Sequence, residues 1–118
     1  MAVTVYASGG APTNPAVVGT EHVLASVNQA GVYQGWVDLS TMAAGDLVEL
    51  RVYRVVKAGG VSRPVHKDTF QGVQDPDAVI VRTEGLANSL TDTDALKFTL
   101  KQTAGTGRSF DYSVDKIA

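Results

Sequence analysis

The stretch Asp46-Leu-Val-Glu-Leu-Arg-Val-Tyr-Arg-Val-Val56 decides the fold class. Val48, Leu50 and Val52 share one parity, and Glu49, Arg51 and Tyr53 share the other. Side chains on a β-strand alternate between faces with a period of two, so the segment predicts a long strand with one buried and one wetted face. Lys57-Ala-Gly-Gly60 follows as a hairpin turn, and Val61 to Gln74 reads as the returning strand. Pro64 has no amide hydrogen to give to a ladder, which predicts an edge position or a break in that return.

Upstream, Val3 to Ala7 is a first strand. Ser8 to Pro15 holds two glycines and two prolines and reads as a flexible arm or loop. Val17-Val18 can open a second strand, and His22 to Val27 gives a clearer one, with Val23, Ala25 and Val27 opposing His22, Leu24 and Ser26. Val32 to Leu39 is the next strand. A regular strand here buries Tyr33, Val37 and Leu39 and turns Trp36 outward. Glycine inside a strand often marks a bulge, however, and a bulge at Gly35 would swing Trp36 inward. The inward placement is favoured, and the alternative is an exposed anchor. Ser40 to Asp46 forms one tight helical turn or a pair of β-turns, with Ser40 as a cap, Met42 plugging the core and Gly45 as a left-handed exit.

Downstream, Asp75-Pro-Asp77 is a turn. Ala78 to Thr83 is a nearly continuous apolar run, consistent with a strand covered on both faces. Glu84 to Asp94 is polar and reads as a long loop. Leu96, Phe98 and Leu100 share a parity, as do Phe110, Tyr112 and Val114. Placing both sets on the core predicts a terminal hairpin centred on Thr106. That register sets Lys101 opposite Asp111 and Lys97 opposite Asp115. The tally is about eight strands, pointing to an antiparallel sandwich or a barrel.

With 118 residues the chain forms one domain, residues 1–118, able to bury a core without staples. It has no cysteine, which excludes disulfides and thiolate metal sites and mildly favours assembly inside a cell. The first residues lack the basic and apolar regions of a signal peptide, and no run approaches the roughly 20 apolar residues of a membrane span. Net charge is −2 and the pI is about 5.5, which argues against a duplex-binding protein.

No catalytic residue emerges from motif or spacing. His22 and His66 lack companion ligands for zinc or copper. The pairs Asp75/Asp77 and Asp92/Asp94 could contribute to a calcium loop but lack its remaining oxygens. Gly105-Thr-Gly-Arg-Ser109 lacks the spacing of a phosphate loop and reads as a turn. From Arg51 to Lys67 every charged residue is basic. Arg54, Lys57, Arg63 and Lys67 are therefore candidates for a face that docks an acidic protein surface, as against a plain solvated hairpin. Trp36 is a further partner-binding candidate. A sugar-binding face would need exposed rings on one sheet, which Tyr53 and Trp36 could begin.

Two segments, Val37-Asp-Leu-Ser-Thr-Met-Ala-Ala-Gly-Asp-Leu-Val-Glu-Leu-Arg-Val-Tyr-Arg54 and Phe98-Thr-Leu-Lys-Gln-Thr-Ala-Gly-Thr-Gly-Arg-Ser-Phe-Asp-Tyr112, together resemble small virion structural proteins of tailed bacteriophages. The nearest type is the head decoration, or capsid cement, protein with a jelly-roll-like sandwich. The resemblance spans a minor part of the chain and carries no catalytic motif. It implies an all-β, jelly-roll-like antiparallel sandwich that is not an enzyme and uses no cofactor. Its partners would be the major capsid protein and other copies of itself, as dimer or trimer, with no nucleic acid and no membrane. It would be assembled in the host cytoplasm and reside on the capsid surface of the virion. The Ser8 to Pro15 and Glu84 to Asp94 segments would serve as arms that order on a neighbour. A tail or fibre component and a carbohydrate-binding sandwich remain alternative readings.

Overall fold

Each apolar alternation must bury one face, and two sheets stacked on each other solve that for all of them. The computed structural model describes residues 3–9 and 16–118. Its strands are β1 (Thr4–Gly9), β2 (Glu21–Val27), β3 (Gly31–Asp38), β4 (Leu47–Val55), β5 (Ser62–Gln71), β6 (Ile80–Arg82), β7 (Leu86–Asn88), β8 (Leu96–Ala104) and β9 (Tyr112–Lys116). One sheet has the order β1-β9-β3-β6, with β7 also on β3, and the other has the order β2-β8-β4-β5. β6 pairs with the Trp36–Asp38 end of β3 and β7 with its Gly31–Tyr33 end, so together they act as one interrupted strand. Counting that pair once, the two orders are those of a jelly roll. The chain changes sheet at every connection except β4–β5 and β6–β7.

The core is supplied as parity requires. Val48, Leu50 and Val52 of β4 and Leu96, Phe98 and Leu100 of β8 are buried beneath Tyr33, Val37 and Val114 of the facing sheet. Each such side chain contributes about 1.5–3 kcal/mol relative to exposure. Tyr6 packs edge-on against Tyr33, with ring centroids 5.3 Å apart, and its hydroxyl donates to the Ser26 carbonyl of the other sheet. Met42 is buried and Gly45 takes the left-handed exit, with φ of 88°. β5 is an edge strand whose register slips at Pro64: Tyr53 opposes Pro64 while Val52 opposes His66, leaving Val65 as the extra residue.

Several expectations are corrected. Gly35 makes no bulge. β3 stays regular, Trp36 lies on the outer face under the Arg82 guanidinium, and the ring is half-buried. Gly35 is needed because a Cβ there would sit 2.9 Å from the Phe98 ring. One register shift that the alternation did not show lies in β2, between Val23 and Ala25, so that the adjacent Leu24 and Ala25 are both buried and Val23 is exposed. Val17-Val18 forms a turn, with the Val17 amide donating to His22 Nε2 at 3.0 Å. The Ala78 to Thr83 run yields only the three residues of β6, with Ile80 and Arg82 exposed, because among the described residues no strand flanks it on its far side. The Glu84 to Asp94 loop contains β7 and is anchored by buried Asn88, which donates to the Gln29 and Leu90 carbonyls. Of the Ser8 to Pro15 arm, Ser8 and Gly9 end β1, and residues 10–15 lie outside the described residues.

The largest correction concerns the C-terminal hairpin. β8 pairs with β2 and β4, whereas β9 pairs with β1 and β3 in the opposite sheet. Residues 105–111 therefore arch across the end of the sandwich. Two buried polar side chains hold the arch. Gln102 donates to the Ala104 and Thr106 carbonyls and accepts from the Arg108 amide. Asp46, fully buried, accepts from the Ala43 amide at 2.9 Å, the Thr106 amide at 3.3 Å and Arg108 Nε at 2.8 Å. Gly105 (φ 89°) passes so close that a Cβ would collide with Asp46. Burial alone would raise the Asp46 carboxyl. The hydrogen bonds from Arg108, Ala43 and Thr106 and the Arg108 charge outweigh it and hold the group below its ordinary 3.8.

Two outcomes follow for stability. Gly35→Ala is expected to cost about 1–3 kcal/mol through overpacking, with Phe98→Leu in the same chain recovering part of that loss, as read by urea unfolding in a double-mutant cycle. Asp46→Asn removes the anion from a buried pair and is expected to cost about 3 kcal/mol at neutral pH. Because the folded carboxyl is depressed, its contribution is present above 3.8 and is lost as pH falls through the folded value. The gap between wild type and variant should therefore close in acid, which unfolding curves across pH would show.

Candidate functional site

The outer face of the β2-β8-β4-β5 sheet is set by the same alternation that builds the core. Glu49, Arg51 and Tyr53 of β4 stand opposite Lys101, Thr99 and Lys97 of β8, while Glu49 and Arg51 also stand opposite Thr69 and Lys67 of β5. β2 adds Glu21 beside Lys101 and Ser26 beside Lys97. Four cations and two acids from four strands thus share one surface in a chain of net charge −2.

Arg51 is the centre. Its Nη2 donates to both Glu49 oxygens, at 2.5 and 3.1 Å, and its Nη1 lies 3.9 Å from Glu21 and 3.4 Å from the Tyr53 hydroxyl. Thr99 donates to Glu21 at 2.7 Å. Lys67 Nζ is 3.8 Å from Glu49, and Lys97 Nζ lies 4.8 Å from the Tyr53 ring centroid. The Arg51 hydrogen bond and the charges of Arg51, Lys67 and Lys101 hold Glu49 below 4.5 despite burial. Burial raises Glu21, but hydrogen bonds from Tyr53 and Thr99 and the charges of Arg51 and Lys97 bring it below 4.5. Both acids therefore stay ionised and engaged on Arg51. Lys67, which also reaches Glu49, Lys97 over the Tyr53 ring, and Lys101 are the face's outward cations. Such an array can receive an anionic surface but supplies no nucleophile poised against a base.

The structure divides the residues singled out from the sequence. Lys67 belongs to this face. Lys57 and Arg63 lie at the β4–β5 hairpin tip, both exposed, around a shallow cavity of about 350 Å³ lined also by Val56, Gly60 and Val61. Arg54 turns the other way. Its Nε donates to the Ala87 carbonyl of β7 at 3.1 Å and ties the two sheets together. Trp36 is on the outer face of the other sheet, so it and Tyr53 cannot form one ring platform. Lys97 and Lys101 were missed because the hairpin register assigned them to Asp115 and Asp111, which lie on the other sheet's strand and its approach. Their parity opposite Leu96, Phe98 and Leu100 was the signal that pointed outward.

Elsewhere, His66 Nε2 lies 3.0 Å from Asp68 Oδ2 on the core-side parity of β5. No group of three His, Cys, Asp or Glu side chains gathers as metal ligands among the described residues. Asp75 accepts from the Asp77 amide and so closes its own turn. No family, curated protein sequence or solved structure matches this chain.

Replacing Arg51 by Met leaves two partly buried acids without their cation. The expected cost is about 1–3 kcal/mol at neutral pH. It should shrink as pH falls below 4.5, where both acids take up protons. Thermal melts at the two pH values check it.

Proposed function

We propose that this chain is a non-enzymatic virion structural protein that decorates the capsid exterior and stabilises it by binding major capsid subunits. The observation that carries this reading is the group of outward lysines that the jelly roll gathers on one sheet. Lys67, Lys97 and Lys101 share the outer face of one sheet, while Asp115 stands on the other and Asp111 leads into it. A broad, rigid face with outward cations suits an acidic protein surface. Electrostatic complementarity of this kind steers encounter and fixes register more than it supplies affinity. Many copies per particle would make the attachment strong even where each contact is modest. The resemblance of segments 37–54 and 98–112 to phage decoration proteins supports the same reading.

Quantifying the chain in separated heads and tails tests the location. Many copies per head are expected, and presence in tails alone rejects the proposal in favour of a tail component. For the docking face, the triple variant Lys67→Glu, Lys97→Glu, Lys101→Glu should fold yet lose at least about tenfold in affinity for heads lacking the protein, as read by co-sedimentation. Unchanged head binding would exclude this face.

A further inference from the structure

The two ends of the β4–β5 ladder carry patches of opposite charge and similar greasiness. At the hairpin tip Val56 is 83 % exposed and Val61 65 %, and Lys57 and Arg63 flank the cavity between them. Asp92 from a neighbouring loop is engaged on the Gly59 amide at 2.8 Å. At the far end, Gly72 takes φ of 70° and turns the chain into residues 73–80. There Val73 is 70 % exposed and Ile80 61 %, and they bracket the exposed carboxylates of Asp75 and Asp77. The Asp75 side chain and carbonyl accept from the Asp77 and Ala78 amides, so the loop has a defined shape. β5 has ten residues and separates the patches by about 33 Å, most of the molecule's 41 Å length.

We propose that the chain self-associates head to tail, the acidic and apolar loop 73–80 of one copy seating in the basic and apolar cavity at the hairpin tip of the next. The second copy is the occupant because one molecule bears both halves of the match: two large aliphatic side chains with two cations, and two with two anions. The halves lie too far apart to meet within one chain. Contact between unlike patches is heterologous, so it propagates and closes into a ring where the rotation per step allows. The resemblance implies copies of the chain as partners but not which surfaces meet; the contact between tip and loop names those surfaces and needs no capsid protein, so either reading can fail without the other.

Two charge-reversed variants test it, Lys57→Glu/Arg63→Glu and Asp75→Lys/Asp77→Lys. By sedimentation velocity the wild type should grow in mass with concentration and shrink with added salt. Each variant alone has like charges at both ends and should associate at least about tenfold more weakly, while an equimolar mixture of the two recovers association. A wild type that stays monomeric at millimolar concentration overturns the proposal. So do variants that associate as wild type does, or a mixture that does not recover. A second measurement removes dependence on the folding of those variants. The chain has no cysteine, so Ala58→Cys and Ala78→Cys place single thiols at the two patches. Oxidising an equimolar mixture should give the mixed disulfide well above the roughly one half that random pairing yields. A statistical distribution, or none, contradicts head-to-tail seating.

Discussion

The buried Asp46 carboxylate and the buried Gln102 amide govern the rest of this structure, because together they determine where the last strand goes. A buried charge is tolerated only when paired and hydrogen-bonded. Asp46 obtains that satisfaction from Ala43, Thr106 and Arg108, two of which belong to the 105–111 arch. A tight hairpin between β8 and β9 would carry the backbone of Thr106 and the guanidinium of Arg108 elsewhere and strand the anion. The arch instead delivers β9 between β1 and β3, at the middle of the opposite sheet. Its absence would leave β1 and β3 without a shared partner.

The same point explains what could be read from the chain in advance. Period-two alternation reports which side chains face the core. Leu96, Phe98, Leu100, Phe110 and Val114 are indeed buried. It does not report which sheet a strand joins, since a hairpin and an arch bury the same parity. In a jelly roll nearly every connection crosses between sheets, so the local hairpin was the poorer inference from a jelly-roll expectation. Glycine in a strand carries a similar ambiguity. Bulge and close approach both call for it, and only the Phe98 ring over Gly35 distinguishes them. β6 and β7, at three residues each, are too short to show alternation. The need for Asp46 to be buried has no local signature at all. Lys67 was legible as a candidate, but Lys97 and Lys101 depended on a register that alternation alone leaves open.

Misassigning β9 also concealed the charge distribution. Exposed ion pairs contribute little to stability, so the outer network is better understood through what it orients. By taking both Glu21 and Glu49, Arg51 leaves the lysines of two strands, β5 and β8, facing outward with few anions among them. Two lysines that a hairpin would have neutralised thereby become part of a coherent face. The polarity of that face is a result of topology rather than composition, since the chain as a whole is acidic.

Edge protection completes the picture. β5 is long and lies at a sheet margin, where unpaired backbone groups invite strand addition. Arg63, Pro64, Lys67 and the slip at Val65 make that margin a poor template for another strand. Continuous edge-to-edge pairing is thus discouraged along the strand, while its two ends expose valine and isoleucine beside charge. A molecule built this way meets other proteins through faces and tips. Such contacts rest on side-chain complementarity, which can be reversed by charge, rather than on backbone ladders, which cannot.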